Sequence, residues 1–343
     1  MNGGKILPPV VFRFNNIWSN SMPILYAMEG AVSQGVLWGL MTLGVYLTFR
    51  ILNVADMTVD GSFAAGGAVS AILIVKGMNP WLTLFFVFVM GMCCGLVTGF
   101  MNTKLKINIL LASILTQIAL YSINIRIMGK ANVPLLGHPT MMAGLKKLTH
   151  NAISTTTASL ILGTVVIVLI IAALYWFLGT EFGSAIRATG SNENMVRAMG
   201  VNTDTTKIIG LMVSNGMVAL SGAFVAQSQG YADVGMGTGT IVVGLASIII
   251  GEVIFGSKFG FLYTLFTVVF GSIIYRIVIA VVLQLGLKST DLKLLTALIV
   301  ALSLSVPVLK GAIDKRRNLY KGPENEKNTR HLGDLFKHGM QEE

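Results

Sequence analysis

Nine blocks of mostly apolar residues set the terms for any fold of this chain: Gly30–Ile51, Gly61–Val75, Pro80–Phe100, Ile107–Met128, Ala158–Leu178, Ile208–Gln227, Ile241–Phe255, Phe259–Leu285 and Leu292–Leu309. Crossing the ~30 Å hydrocarbon core of a bilayer takes about 20 apolar residues as helix. In lipid every backbone N–H and C=O needs an internal partner, which favours helices. A β-barrel would alternate in segments of about 10 residues, and these blocks do not. Charged residues make up 12% of the 343, against about 25% in soluble domains. The sequence therefore predicts an all-α polytopic membrane helix bundle of about nine spans. Two blocks, Gly61–Val75 and Ile241–Phe255, are short and glycine-interrupted, as in helices that break or re-enter inside a bundle.

Residues 1–29 read as an external or interfacial segment, with a helix at Ile17–Met28 before the first span. Residues 30–310 form the transmembrane domain, and 311–343 a polar cytoplasmic tail. Pro8, Pro9, Arg13 and Asn15 interrupt the N-terminus, so no cleavable signal peptide is expected.

The net charge of +10 does not point to nucleic acid, because the basic residues are spread over the loops between spans. If the loop Glu181–Asn202 is cytoplasmic, fifteen of the 25 Lys and Arg lie inside, among them the run Lys315–Arg317. That is the sign the positive-inside rule requires.

No catalytic or metal-binding constellation emerges. Cys93 and Cys94 are adjacent in one span and suit neither a disulfide nor a metal site. His138, His150, His331 and His338 fall in loops or the tail without ligand spacing. Gly251–Lys258 reads GEVIFGSK, which reverses the order a phosphate loop needs and lies in a span. The chain is expected to hydrolyse no ATP itself and to bind no cofactor.

Glu181–Asn202 reads EFGSAIRATGSNENMVRAMGVN, a polar platform between two long apolar blocks. Ser191 or Asn192 can cap a short helix that runs to Met199, and Gly200 can end it. Glu193 and Arg197 form an i,i+4 pair, worth only about 0.3–0.5 kcal/mol when exposed. Met195, Val196 and Met199 make a small apolar face. It either docks a partner or lies against the bilayer or bundle.

Inside the spans, Gln117 and Asn124 in the fourth and Asn215 in the sixth either bond between helices or line a polar path. Gly35/Gly39 and Gly91/Gly95/Gly99 are GxxxG spacings that pack helices within one subunit or at a dimer seam. Glu252 and Arg276 are intramembrane charges. Glu252 is expected to pair within the bundle, with Lys258 or Arg276, or to serve transport.

The run Arg187-Ala188, Gly190, Asn192, then Arg197-Ala198-Met199-Gly200-Val201-Asn202 resembles the cytoplasmic coupling loop of ABC importer permeases of the branched-chain amino acid and ribose type. The likeness continues through Ser221-Gly222-Ala223 and Gly244, Gly251, Gly256 and Gly260. Near the N-terminus it includes Gly39–Val45 and Ile51–Asp56, so it covers about Gly30 to Leu309. Thr58–Phe63, TVDGSF, is similar to permeases paired with binding proteins for aromatic amino acids. Gly251-Glu252 departs from the family's Gly-Gly.

The resemblance implies a multi-pass permease of the cytoplasmic membrane that moves an amino acid. A separate cytoplasmic ATP-binding subunit drives it with ATP, an extracytoplasmic solute-binding protein feeds it, and a second permease subunit pairs with it as a homodimer. It assigns ATPase coupling to Arg187, Asn192, Met195, Val196, Met199 and Gly200. The alternative is a self-sufficient secondary transporter or channel, for which Glu252 is the candidate ion-coupling carboxylate; no internal repeat supports it.

Overall fold

A computed structural model describes residues 21–150, 153–256, 260–286, 291, 294, 296–302 and 305. Eight helical segments among these are long and apolar enough to cross a membrane. Half of the ninth block, Leu292–Leu309, lies outside the described residues, although 296–302 are helical.

Local signals start and stop most helices. α1 runs Ser21–Tyr46 and passes into a π-helical turn, Leu47–Ile51. The separate interfacial helix expected at Ile17–Met28 is, from Ser21 onward, the start of α1. α2 is Thr58–Val75. α3, Pro80–Thr103, has Pro80 at its first turn and the Asn79 side chain accepting from Trp81 N. α4, Ile109–Met128, is capped by Asn108 and closed by Gly129 at φ 67°. α5, Met141–Leu148, is a short amphipathic helix. α6 is Thr155–Gly179, and α7 (Glu181–Ser191) and α8 (Glu193–Ala198) form the platform. α9 is Thr203–Gln229, α10 Thr240–Phe255 and α11 Phe261–Gln284. On the face opposite the platform, β1 (Asn132–Pro134) pairs antiparallel with β2 (Tyr231–Asp233), Val133 opposite Ala232.

Three spans form the centre. The apolar windows of α1, α2 and α9 are 78%, 72% and 78% buried, against 33%, 28% and 28% for α3, α4 and α6. The outer helices turn Phe85, Leu111, Ile118 and Leu169 outward, as a lipid-facing surface does. Both glycine series pack within the chain. Gly91, Gly95 and Gly99 bring α3 against α9, where a Cβ at Gly95 would overlap the Leu211 carbonyl. Gly35 and Gly39 meet Ile273 and Val269 of α11. Close backbone approach substitutes for the hydrophobic drive that lipid does not supply.

The two short spans do start inside the bundle. Thr58 at the start of α2 shares a 2.7 Å hydroxyl contact with Thr98, five residues before the end of α3. Gly61 lies against Gln117, eight residues into α4. Gly61 is three residues into α2, so at 1.5 Å per residue both contacts place the start of α2 about 8 Å in from the platform-side ends of these helices. α10 begins at the same depth, because Asp60 caps its first turn. A 3-10 turn, Val234–Gly237, carries the chain inward from β2 to that point.

Candidate functional site

The platform is two helices rather than one. The Asn192 side chain accepts from Met195 N at 3.1 Å and opens α8, and Gly200 follows at φ 85°, where a side chain is resisted. Gly183, Ile186 and Thr189 form the buried face of α7. A Cβ at Gly183 would overlap the Phe177 carbonyl, and one at Gly190 the Ile51 carbonyl. The Thr189 hydroxyl meets that of Thr206 at 3.0 Å. α7 is thus set directly on the ends of α6, α1 and α9.

The expected apolar trio divides. Val196 is 2% exposed and belongs to the bundle, whereas Met195 and Met199 are 49% and 71% exposed. Phe182, which the sequence reading did not single out, is exposed in the first turn of α7. Arg187 is exposed, with its guanidinium 5.6 Å from the centroid of Phe261.

Glu193 does more than its i,i+4 spacing suggests. It accepts from Arg197 Nη2 at 2.9 Å, from Lys207 Nζ at 2.6 Å and from the Thr203 hydroxyl at 3.3 Å. The Lys207 ammonium, with Arg197 beside it, holds the Glu193 carboxyl below the usual Glu range. Lys207 stands 14 residues away on another helix, so helical spacing could not reveal it.

The second region is the mid-depth joint where α2 and α10 start. Asp56, 1% exposed, accepts from Thr58 N at 2.9 Å and from Asn215 Nδ2 at 2.7 Å. Asn215 Oδ1 in turn accepts from the Ser62 hydroxyl at 2.7 Å. Asp60, 9% exposed, accepts from Gly239 N, Ile241 N and the Thr240 hydroxyl at 2.8–2.9 Å. A carboxylate at the positive end of a helix is favourable, and in lipid it satisfies donors that no water reaches. The sequence reading passed over both aspartates. Asp56 looked like part of a loop, and Asp60 lay within a stretch read only for its family likeness.

The three polar residues expected on a path separate. Asn215 is fully engaged in the joint. Gln117 and Asn124 line a cavity of about 260 Å³ with Asp60, Gly61, Tyr121 and Thr238. Gln117 Nε2 stands 3.5 Å from Asp60, and Asn124 Nδ2 donates to the Gly61 carbonyl at 3.3 Å. Asn124 Oδ1 is buried without a partner among the described residues.

The expected pairing of Glu252 with Arg276 is corrected. Glu252 is held by Arg50 in a two-point pair, one arm being Nε to Oε1 at 2.9 Å. Arg50 lies in the π-helical turn after α1, one residue before its end, and reaches α10 at Glu252, 202 residues away in sequence. Arg276 is instead in the half of α11 farther from the platform, its guanidinium 3.8 Å from the centroid of the Trp38 ring. The other proposed partner, Lys258, lies outside the described residues. With its charge matched at a span end, Glu252 is poorly suited to carry a coupling ion.

Residues 27–304 match the family described as branched-chain amino acid transport system / permease component. The tyrosine transport system permease protein of Clostridioides difficile is 40% identical, over 84% of this chain and 95% of its own. An uncharacterized protein of Rickettsia prowazekii, RP368, is 34% identical over 80% of this chain and 95% of its own. The autoinducer 2 import system permease protein LsrC of Photorhabdus laumondii is 25% identical over 62% of each chain. The chain belongs to that family and is a multi-pass permease of an ABC importer in the inner membrane.

Proposed function

We propose that this permease imports an aromatic amino acid, with the platform face in the cytoplasm. The observation that carries the reading is the 40% identity to a tyrosine permease over nearly the whole of both chains. Met195 and Met199, with Phe182, offer the exposed apolar contacts that a cleft in a separate ATP-binding subunit would cover. ATP is used there, and this chain binds no cofactor. A solute-binding protein delivers the solute to the opposite face, and two copies of the chain enclose the path.

Movement of the platform has a route to the spans. α7 rests on Ile51 through Gly190, and α9 rests on Leu52 through Gly210. Asp56, four residues beyond Leu52, is bound into the joint that starts α2. ATP-driven displacement of α7 would therefore reach the joint and shift the balance between two states of the bundle.

The test is purification of the permease with its ATP-binding subunit and binding protein, followed by thermal shift of that binding protein with each amino acid. Tyrosine or another aromatic amino acid should give the largest shift. A double substitution, Met195→Asp with Met199→Asp, should release the ATP-binding subunit while membrane insertion stays normal. Unchanged solute-stimulated ATP hydrolysis in that variant would remove the docking role. For sidedness, Lys146→Cys should react with an impermeant thiol reagent in intact cells, and Ser191→Cys should not. Labelling of Ser191→Cys from outside would reverse the topology.

A further inference from the structure

On the face away from the platform, a cavity of about 490 Å³ opens between α1, α2, α9 and the turn before α10. Small-molecule sites commonly span about 300–1,000 Å³ and combine apolar walls with a few placed polar groups. Here Trp38, 9% exposed, forms one wall, and the fully buried Phe63 backs it, their ring centroids 5.0 Å apart. Tyr231, Gln229 and Asp233 contribute polar groups. We infer that this cavity is an entry site for the zwitterion of an aromatic L-amino acid, with the side-chain ring against Trp38 and Tyr231 and the ammonium on Asp233. The inference rests on the proposed function and gives it a place in the molecule.

Three observations converge on it. Asp233 has no cation partner among the described residues, and the one hydrogen bond it accepts, from Gly235 N at 2.7 Å, engages Oδ1. The indole N–H of Trp38 is buried without an acceptor among the described residues, whereas a buried tryptophan N–H ordinarily finds one. Arg276 presses its guanidinium on the Trp38 ring and keeps its Nε unbonded. A buried cation spent on one ring face fixes that ring's orientation. Arg276 is therefore a positioning residue for the aromatic wall, which explains a charge inside a span that makes no ion pair among the described residues.

The experiment uses the full chain with its ATP-binding subunit in nanodiscs, without the binding protein. Equilibrium binding of L-tyrosine is compared with that of 3-(4-hydroxyphenyl)propionate, which lacks the ammonium. The parent should prefer tyrosine. Asp233→Asn keeps the acceptor for Gly235 and should weaken tyrosine binding about tenfold, the loss of one charged contact. The same change should erase the preference over the analogue. Trp38→Leu should abolish binding of both, and Arg276→Met should weaken both by a similar factor without touching the preference. Trp81→Leu, on the exposed face of α3, is the control and should change nothing. If Trp38→Leu fails to assemble, Asp233→Asn decides alone. A parent that imports tyrosine through its binding protein, with Asp233→Asn still showing full preference, overturns the site and leaves the proposed function standing. A parent that neither imports nor binds any aromatic amino acid overturns both.

Discussion

The platform and the mid-depth joint are both short departures from regular spanning helix, and they are held in opposite ways. α7 and α8 are capped by Thr180 and Asn192, each within three residues of the group it bonds. Their charges face water, where exposed pairs contribute about 0–1 kcal/mol. The joint is buried, and its carboxylates reach across 159 and 180 residues to Asn215 and Thr240. Hydrogen bonds to a charged group contribute about 1.5–3 kcal/mol each. The platform can therefore be displaced at little internal cost, whereas rearranging the joint means breaking strong bonds. A transporter driven from the platform needs that ordering, because a soft joint would absorb the push.

The sharpest way to break the comparison is Asp60→Ala. It leaves Gly239 N, Ile241 N and the Thr240 hydroxyl without their acceptor at the start of α10. We expect several kcal/mol of destabilisation and loss of uptake, read as a lowered melting temperature in detergent. Asp60→Asn keeps one acceptor oxygen and should fall between. A parent-like melting curve for Asp60→Ala would mean that water reaches the joint and that its strength is not special.

Next is Gly190→Val, aimed at the contact that links the two regions. Its side chain would meet the Ile51 carbonyl, and overpacking of this kind costs about 1–3 kcal/mol. We expect α7 to lift from the end of α1. ATP hydrolysis in the complex should lose its dependence on solute, while the ATP-binding subunit stays attached through Met195 and Met199. Retained coupling would show that the push travels by another contact.

The two regions also differ in how far they could be read in advance. The spans follow from apolar length, and eight of the nine blocks correspond to helices among the described residues. In the platform, Asn192 and Gly200 behave as cap and terminator because those roles depend on near neighbours. Val196 differs from Met195 and Met199 only in which side of a six-residue helix meets the bundle, and no local pattern resolves that. The joint was legible only as two short, glycine-interrupted spans. Asp56 finds Asn215, and Asp60 finds α10, through tertiary approach alone. The same holds for Arg50 with Glu252, where a carboxylate in a span suggested the nearer Arg276 and the partner is a cation at the end of the first block.

A smaller effect is expected at that ion pair. Arg50 is 46% exposed at its side chain, so Glu252→Gln should change stability by no more than about 1 kcal/mol. Uptake should stay insensitive to a protonophore in both parent and variant. A protonophore effect on the parent that the variant lacks would move Glu252 from structure to ion coupling.

The smallest expected effect is the pH dependence of Glu193, and it separates the two regions because Glu193 is partly exposed whereas Asp56 and Asp60 of the joint are buried. Its folded-state pKa lies below the value in an unfolded chain, chiefly through the hydrogen bond from Lys207. A lowered carboxyl pKa stabilises fully above the unfolded value, about 4.3 for Glu. The contribution fades as the pH falls through the folded value, since protonation then removes the charge that Lys207 and Arg197 hold. Protease cleavage within 181–202 should therefore rise as the pH drops below about 4.3, before the spans melt. Glu193→Gln should raise cleavage at neutral pH to the acid level and flatten the dependence. Equal slopes for parent and variant would assign the acid effect to another group and leave Glu193 as a cap-side ornament of α8 rather than its tie to α9.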